Sequence, residues 1–239
     1  MNIYLDNISF TYPDQTILED VSLTLQSGEF VCLLGRNGSG KTTLMKIASG
    51  RLKPSAGSIT VSERNSQQVD SDSLKRYFSI LPQGIQDPPY LSAEAVLQLG
   101  TFDPSRQVPL RISPASLKSV NHAIEVCEIE RFRNRSFNQL SGGEKQRVWI
   151  AFCLVQEKPF LLLDESLHAL DFMAKEDFFM MLSKLAADGS GVILSTHDVA
   201  LAKKYASRIV YLNDRKIAYD GPGGDDLEKA IEIGSPLLP

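Results

Sequence analysis

Between positions 31 and 47 the chain reads VCLLGRNGSGKTTLMKI, an apolar strand that passes through three glycines into the start of a helix. The turn fits G-x-x-x-x-G-K-[ST], with Gly35, Gly40, Lys41 and Thr42 at the fixed positions. Glycine lets backbone N–H groups curve around an anion where a side chain would clash, and a helix N-terminus adds unpaired donors and partial positive charge. The stretch therefore predicts a polyphosphate cradle made of Gly35, Arg36, Asn37, Gly38, Ser39, Gly40, Lys41, Thr42 and Thr43. In it Lys41 reaches the β- and γ-phosphates of a nucleotide such as ATP, and the Thr42 hydroxyl sits on Mg²⁺.

The surrounding pattern is that of an α/β chain with a β-rich opening. Residues 3–10 and 21–25 read as strands joined by a turn at Tyr12-Pro13-Asp14, and 27–29 as the turn before the cradle strand. The helix from Lys41 should stop near Gly50, because Gly50 and Pro54 are stop signals. Residues 57–61 and 77–81 read as strands and the polar stretch 62–73 as a loop. Prolines then interrupt a mainly helical lobe, about 84–139, with helices at 92–99 and 114–127 capped by Ser92 and Ser113. From 141 the chain alternates: helix 141–156, buried strand 160–163, helix 173–187, buried strand 191–195, and a hairpin of 209–212 with 216–219. Continuous apolar strands bracketed by helices imply a sheet covered on both faces. One domain follows, with a core of 1–83 and 140–220, an inserted helical part and a Gly- and Pro-rich tail, 221–239, without clear pattern.

Composition narrows the function. With 239 residues, 43% hydrophobic and 23% charged, and a net charge of -4, the chain reads as a soluble globular protein without a nucleic-acid footprint. Its longest apolar runs, 148–155 and 160–163, are far short of the roughly 20 residues that span a bilayer. If the work is transport, another chain supplies the membrane part. The opening MNIYLDNISF has no charged region followed by an apolar run, so a cytoplasmic location is expected. Cys32, Cys127 and Cys153 are odd in number, widely spaced and set in apolar surroundings, which suits reduced core thiols better than a disulfide or zinc framework.

Two further stretches carry chemistry. FLLLDE, residues 160–165, is an apolar strand ending in two carboxylates, and side chains alternate across a strand, so the two acids face different partners. Alone, such a pair reads as a solvated strand end. Downstream of a phosphate cradle in the same sheet, Asp164 reads as holding Mg²⁺ through water, and Glu165 as polarising the water that attacks the γ-phosphate. LSGGEKQR, residues 140–147, contains a capping box in Ser141 and Glu144. A cap does not require Gly142 and Gly143, each of which costs a helix about 1 kcal/mol against alanine. They make sense if this helix start must lie flush against a phosphate.

GRNGSGKT, LSGGEKQR and FLLLDE in this chain, with Gln83 and His197, resemble the nucleotide-binding subunit of an ATP-binding-cassette transporter over roughly residues 3–219. The resemblance implies a RecA-like P-loop core with an N-terminal antiparallel β subdomain and an inserted helical subdomain. It also implies a head-to-tail homodimer, each ATP lying between the cradle of one copy and Ser141, Gly142 and Gly143 of the other. By the same resemblance Tyr12 stacks on adenine, Gln83 senses Mg²⁺ and the attacking water, His197 contacts the γ-phosphate and orients Glu165, and Asp171 belongs to the loop that crosses the interface. Transmembrane permease subunits and an extracytoplasmic substrate-binding protein are the implied partners, with the chain peripheral on the inner face of the plasma membrane.

One departure stands out: Ser166-Leu167-His168 occupies the place of the family's usual Pro-Thr-Ser. His168 at the interface is expected to make hydrolysis pH-sensitive between about pH 6 and 7. Pro88, Pro89, Tyr90 and Leu91 read equally as a docking patch and as core of the lobe. The short lobe and the run 96–100 resemble bacterial importer subunits for iron chelates, haem or cobalamin; exporters built from separate chains and soluble ATPases of the same superfamily are the alternatives.

Overall fold

The structure, a computed structural model, describes residues 1–62, 66–82, 84–102, 113–167 and 170–234. It opens with a hairpin of β1 (Asn2–Tyr12) and β2 (Gln15–Gln26), turned at Pro13-Asp14 with Tyr12 opposite Gln15. Alternation sends Ile3 and Leu5 into the interior, and a register shift between Leu5 and Ile8 resets it so that Ile8 and Phe10 follow them. The cradle strand β3 (Phe30–Gly35) leads into α1 (Lys41–Ala48). Next come β4 (Ala56–Ser62), β5 (Ser66–Gln68), α2 (Ser71–Leu74) and β6 (Phe78–Leu81). Within the expected loop at 62–73 two elements of regular structure are present: β5 pairs with β4, and the Asp70 carboxylate accepts the Ser73 N–H at 2.8 Å to start α2. Elements of three and four residues are too short to print a period in the sequence.

The inserted stretch supplies α3 (Ala93–Gly100) and α4 (Pro114–Val126), and α5 (Gly142–Leu154), which follows it in the chain, packs on both. Ser92 and Ser113 cap α3 and α4, accepting the Ala95 and Ser116 N–H groups at 3.1 and 3.0 Å. The patch at 88–91 divides: Tyr90 is 95% exposed, whereas Leu91 packs against the core. The chain then alternates through β7 (Phe160–Asp164), α6 (Phe172–Ala187), β8 (Gly191–Ser195), α7 (Val199–Tyr205), β9 (Arg208–Asn213) and β10 (Lys216–Gly221). It continues into α8 (Asp225–Gly234), a helix in the tail whose composition shows no clear pattern. α8 is anchored by Leu227, which is fully buried.

Two sheets result. One is antiparallel, in the order β2-β1-β4-β5; the other is β10-β9-β3-β8-β7-β6, parallel except for the β10 edge. The larger sheet is buried on both sides. In β3, Phe30, Cys32 and Leu34 face a core shared with the helices, while Val31 and Leu33 face a second core shared with α1 and the antiparallel sheet. All three cysteines are free and buried, and burial pushes the Cys127 and Cys153 thiols up to about 12. β8 lies between β3 and β7, with Ser195 level with both Leu33 and Asp164. Parallel strands end at one edge, so the segments after β3, β7 and β8 emerge side by side.

Candidate active site

The first of those segments is the glycine turn. A Cβ on Gly35 would lie 2.5 Å from Ser39 Oγ and 2.6 Å from the Leu212 carbonyl, so only glycine fits there. Gly38 and Gly40 take φ values of +80° and +102°, and Gly40 precedes α1 without a side-chain cap, leaving the first helical N–H groups uncapped by any side chain. Lys41, only 5% exposed, donates to the Gly35 and Arg36 carbonyls at 2.8 and 3.1 Å. Burial pushes its ammonium below the ordinary lysine value, and the Glu165 and Asp164 carboxylates oppose that shift. Thr43 is buried beneath the turn, and Ser39 Oγ is buried with no partner among the described residues. Arg36, Asn37 and Gly38 are exposed and, with Ser39, border a cavity of about 640 Å³ shared with Gln15 and Arg215. Tyr12 ends β1 close by in sequence, 43% exposed and edge-on to Phe10 at 4.9 Å.

The second and third segments bring the acids and the histidine. Asp164 and Glu165 turn to different partners: Asp164 Oδ1 accepts the Thr42 hydroxyl at 3.2 Å, whereas Glu165 Oε1 lies 3.0 Å from His197 Nε2 and 3.8 Å from Lys41 Nζ. Glu165 holds a backbone φ of +46°, in the left-handed region that a residue with a Cβ seldom enters. A residue missed by the sequence reading steadies His197. Asp198 caps α7 by accepting the Leu201 N–H at 3.0 Å, and its own N–H donates to Thr196 Oγ1 at 3.1 Å, fixing the turn on both sides of the histidine. An Asp just before an apolar helical run is an N-cap signal that would have found it.

The residues fit a magnesium nucleotide. A threonine hydroxyl beside a carboxylate oxygen is a hard-oxygen pair suited to Mg²⁺. Among the described residues no group of three or more His, Cys, Asp or Glu side chains gathers to hold a metal. Two protein oxygens suit an ion whose remaining ligands are phosphate and water, the usual arrangement for Mg²⁺.

Ser141, Gly142 and Gly143 begin α5. The capping box is complete: Ser141 Oγ accepts the Glu144 N–H at 3.3 Å and Glu144 Oε2 accepts the Ser141 N–H at 2.8 Å. That backbone bond, against some desolvation and with help from Arg135 at 3.0 Å, holds the Glu144 carboxyl below its ordinary value. A Cβ on Gly142 or Gly143 would meet nothing within 4 Å. Asp171 caps α6, accepting the Ala174 N–H at 2.9 Å. Among the described residues no hydrogen bond or ion pair joins residues 141–143 or Asp171 to the glycine turn of the same chain. Gln83 and His168 lie outside the described residues.

A sequence model of the family described as ABC transporter matches residues 18–168. The chain is similar to the petrobactin import ATP-binding protein of Bacillus subtilis strain 168, 30% identical over 94% of this chain and 88% of that one. It is 35% identical to the hemin import ATP-binding protein of Photobacterium damselae subsp. damselae, over 90% of this chain and 81% of the relative. Among solved structures it is similar to a dimeric bacterial ABC transporter cassette, with a TM-score of 0.75 at 30% identity over 93% of this chain and 99% of that one. A post-hydrolysis cassette dimer bound to ADP and Pi gives 0.76 at the same identity and coverage.

Proposed function

We propose, on the premise that this chain belongs to the ABC transporter family, that it is the ATP-hydrolysing motor of a membrane importer whose cargo is an iron chelate, haem or cobalamin. The observation that carries the catalytic reading is the convergence of three strand ends: Glu165 on His197 at 3.0 Å, Lys41 on Glu165 at 3.8 Å and Thr42 on Asp164 at 3.2 Å. Transport of an iron compound is supported by the relatives, whose names are those of hemin and petrobactin import proteins.

The roles follow from the chemistry of each group. Lys41 bridges two carbonyls of its own loop and turns to the more strongly accepting β- and γ-phosphate oxygens when ATP enters. Glu165 accepts the proton of the attacking water, and His197 fixes the carboxylate's direction through Nε2. Thr42 and Asp164, with Gln83, would hold Mg²⁺, which when bound would neutralise charge on the phosphate oxygens. Gly142 and Gly143 present a helix N-terminus that packing within the chain does not require to be bare, which suits the γ-phosphate of an ATP held by a second copy, head to tail. Tyr12 and Asp171 serve the adenine and the interface. Among the described residues no helix is long and apolar enough to cross a membrane, so permease subunits provide the pathway, with a substrate-binding protein outside, and this chain sits peripherally on the inner face.

The test is reconstitution. The full chain is purified from detergent-solubilised membranes with whatever permease accompanies it, returned to liposomes, and supplied with ATP and ferric chelates, haem or cobalamin. ATP-dependent uptake of one of these is the expected result. ATPase activity with no membrane partner and no uptake of any of them overturns the importer reading.

A further inference from the structure

Gln146 Nε2 and Ser166 Oγ are buried side-chain atoms without a hydrogen-bond partner among the described residues. Both residues line one cavity of about 310 Å³, together with Gly142 and Trp149 of α5, Pro82 after β6, and Glu165 itself. The neighbouring polar side chains of α5 are paired: Lys145 with Asp87 at 2.5 Å, and Arg147 with Glu128 at 3.2 Å. An amide NH₂ is a pure donor and a hydroxyl keeps lone pairs free to accept, so the two orphans that border one cavity are complementary in kind. Burying either alone is unfavourable.

We infer that Gln146 donates to Ser166 Oγ across this cavity when ATP is bound, and that the pair positions the catalytic carboxylate of Glu165. The need for such a device is visible in the backbone. Glu165 sits at φ +46°, a conformation that persists only where the flanking chain fixes it. A proline at 166 would fix that flank through its ring, whereas serine leaves the bond free to rotate and offers a side-chain oxygen instead. Gln146 lies in α5, four residues beyond Gly142, so the bond ties the helix start that meets nucleotide to the residue that performs the chemistry. Neither Gln146 nor Ser166 touches the reacting atoms; they act through Glu165.

This inference rests on the ATPase reading, and its test separates the two. In the full-length chain with saturating ATP and Mg²⁺, Ser166→Ala and Gln146→Met are each expected to lower kcat about tenfold with KM within about twofold. The double variant should be no slower than either single, and Ser166→Thr, which keeps the acceptor, should retain the wild-type rate. Effects that multiply, or single variants at the wild-type rate, overturn the pairing. Misfolding is excluded by the emission of Trp149, the single tryptophan of the chain, which borders the same cavity. All variants should keep the nucleotide-free spectrum, and ATP should shift it in Glu165→Gln but not in Glu165→Gln with Ser166→Ala. Equal shifts in both overturn the inference. A wild type without ATPase activity sinks the functional reading instead.

Discussion

Glu165→Gln keeps the length of the side chain and an oxygen for His197 while removing the charge proposed to take a proton. Losing a general base lowers kcat by about 10²–10⁴-fold, which at 1.36 kcal/mol per decade is roughly 3–5 kcal/mol of barrier. A second effect has the opposite sign for binding. Glu165 Oε1 lies 3.8 Å from Lys41 Nζ, so the carboxylate competes for the ammonium proposed to receive phosphate. Two unit charges at that distance with an effective dielectric constant near 20 interact by about 4 kcal/mol. Glu165 is 23% exposed, and solvent and salt reduce what ATP recovers to on the order of 1 kcal/mol, somewhat under tenfold in Kd. The variant should therefore bind ATP several-fold more tightly while barely turning it over. Titration with ATP at low temperature gives the affinity, and phosphate release gives the rate. A variant that hydrolyses within about threefold of wild type removes Glu165 as the base. Weakened ATP binding removes the argument that it opposes Lys41.

Gly50→Ala places a Cβ 1.8 Å from the Ser71 carbonyl at a φ of +72°, so it should cost about 2–4 kcal/mol by thermal or denaturant unfolding, with kcat per folded molecule unchanged. Glu144 has a folded-state pKa depressed below 4.5, so its contribution to stability is full above that value and lost as pH falls through the lower one. Glu144→Gln should accordingly lower Tm at about pH 7 and converge with wild type as pH falls through the depressed Glu144 pKa; a constant difference would show that its charge plays no part. Leu227→Ala should cost about 2–5 kcal/mol if α8 unfolds only with the whole domain, or release fast amide exchange in residues 225–234 alone if α8 opens by itself.

The strong signals in this sequence are those with a period or a fixed spacing. β3, β7 and β8 are short, apolar but for their ends and bounded by glycine or acid, and they lie within a residue of where pattern places them. The caps at Ser92, Ser113 and Ser141 were legible because one side chain three residues from its N–H partner is a local matter. What stayed hidden depends on distance in space. β5 exists because β4 offers it an edge, and α8 because Leu227 finds a pocket against strands near the end of the chain. For the site, local pattern named Lys41, Asp164 and Glu165 separately, and the family resemblance added His197. Only the strand order, with β8 between β3 and β7, brings Glu165 within 4 Å of both Lys41 and His197 and sets Asp164 on Thr42, and no local pattern encodes that order.

Several of the places where this chain breaks its own local rules lie at the edge where those strands end. Glu165 accepts a left-handed backbone, Ser39, Ser166, Ser195 and Gln146 bury unpaired polar atoms, and α5 begins with two glycines. Gly35 is explained from within, because a Cβ there strikes Ser39 and Leu212; Gly142 and Gly143 are not, because a Cβ there strikes nothing. Alanine at either position would strengthen the helix by about 1 kcal/mol if the chain worked alone. The two positions therefore separate internal from external demands. Gly142→Ala should raise the Tm of the isolated chain while lowering ATPase activity, the signature of a site that gives up stability for contact. If it raised Tm and left activity intact, the bare helix start would have no partner to meet, and the two-copy arrangement proposed for ATP would lose its physical basis.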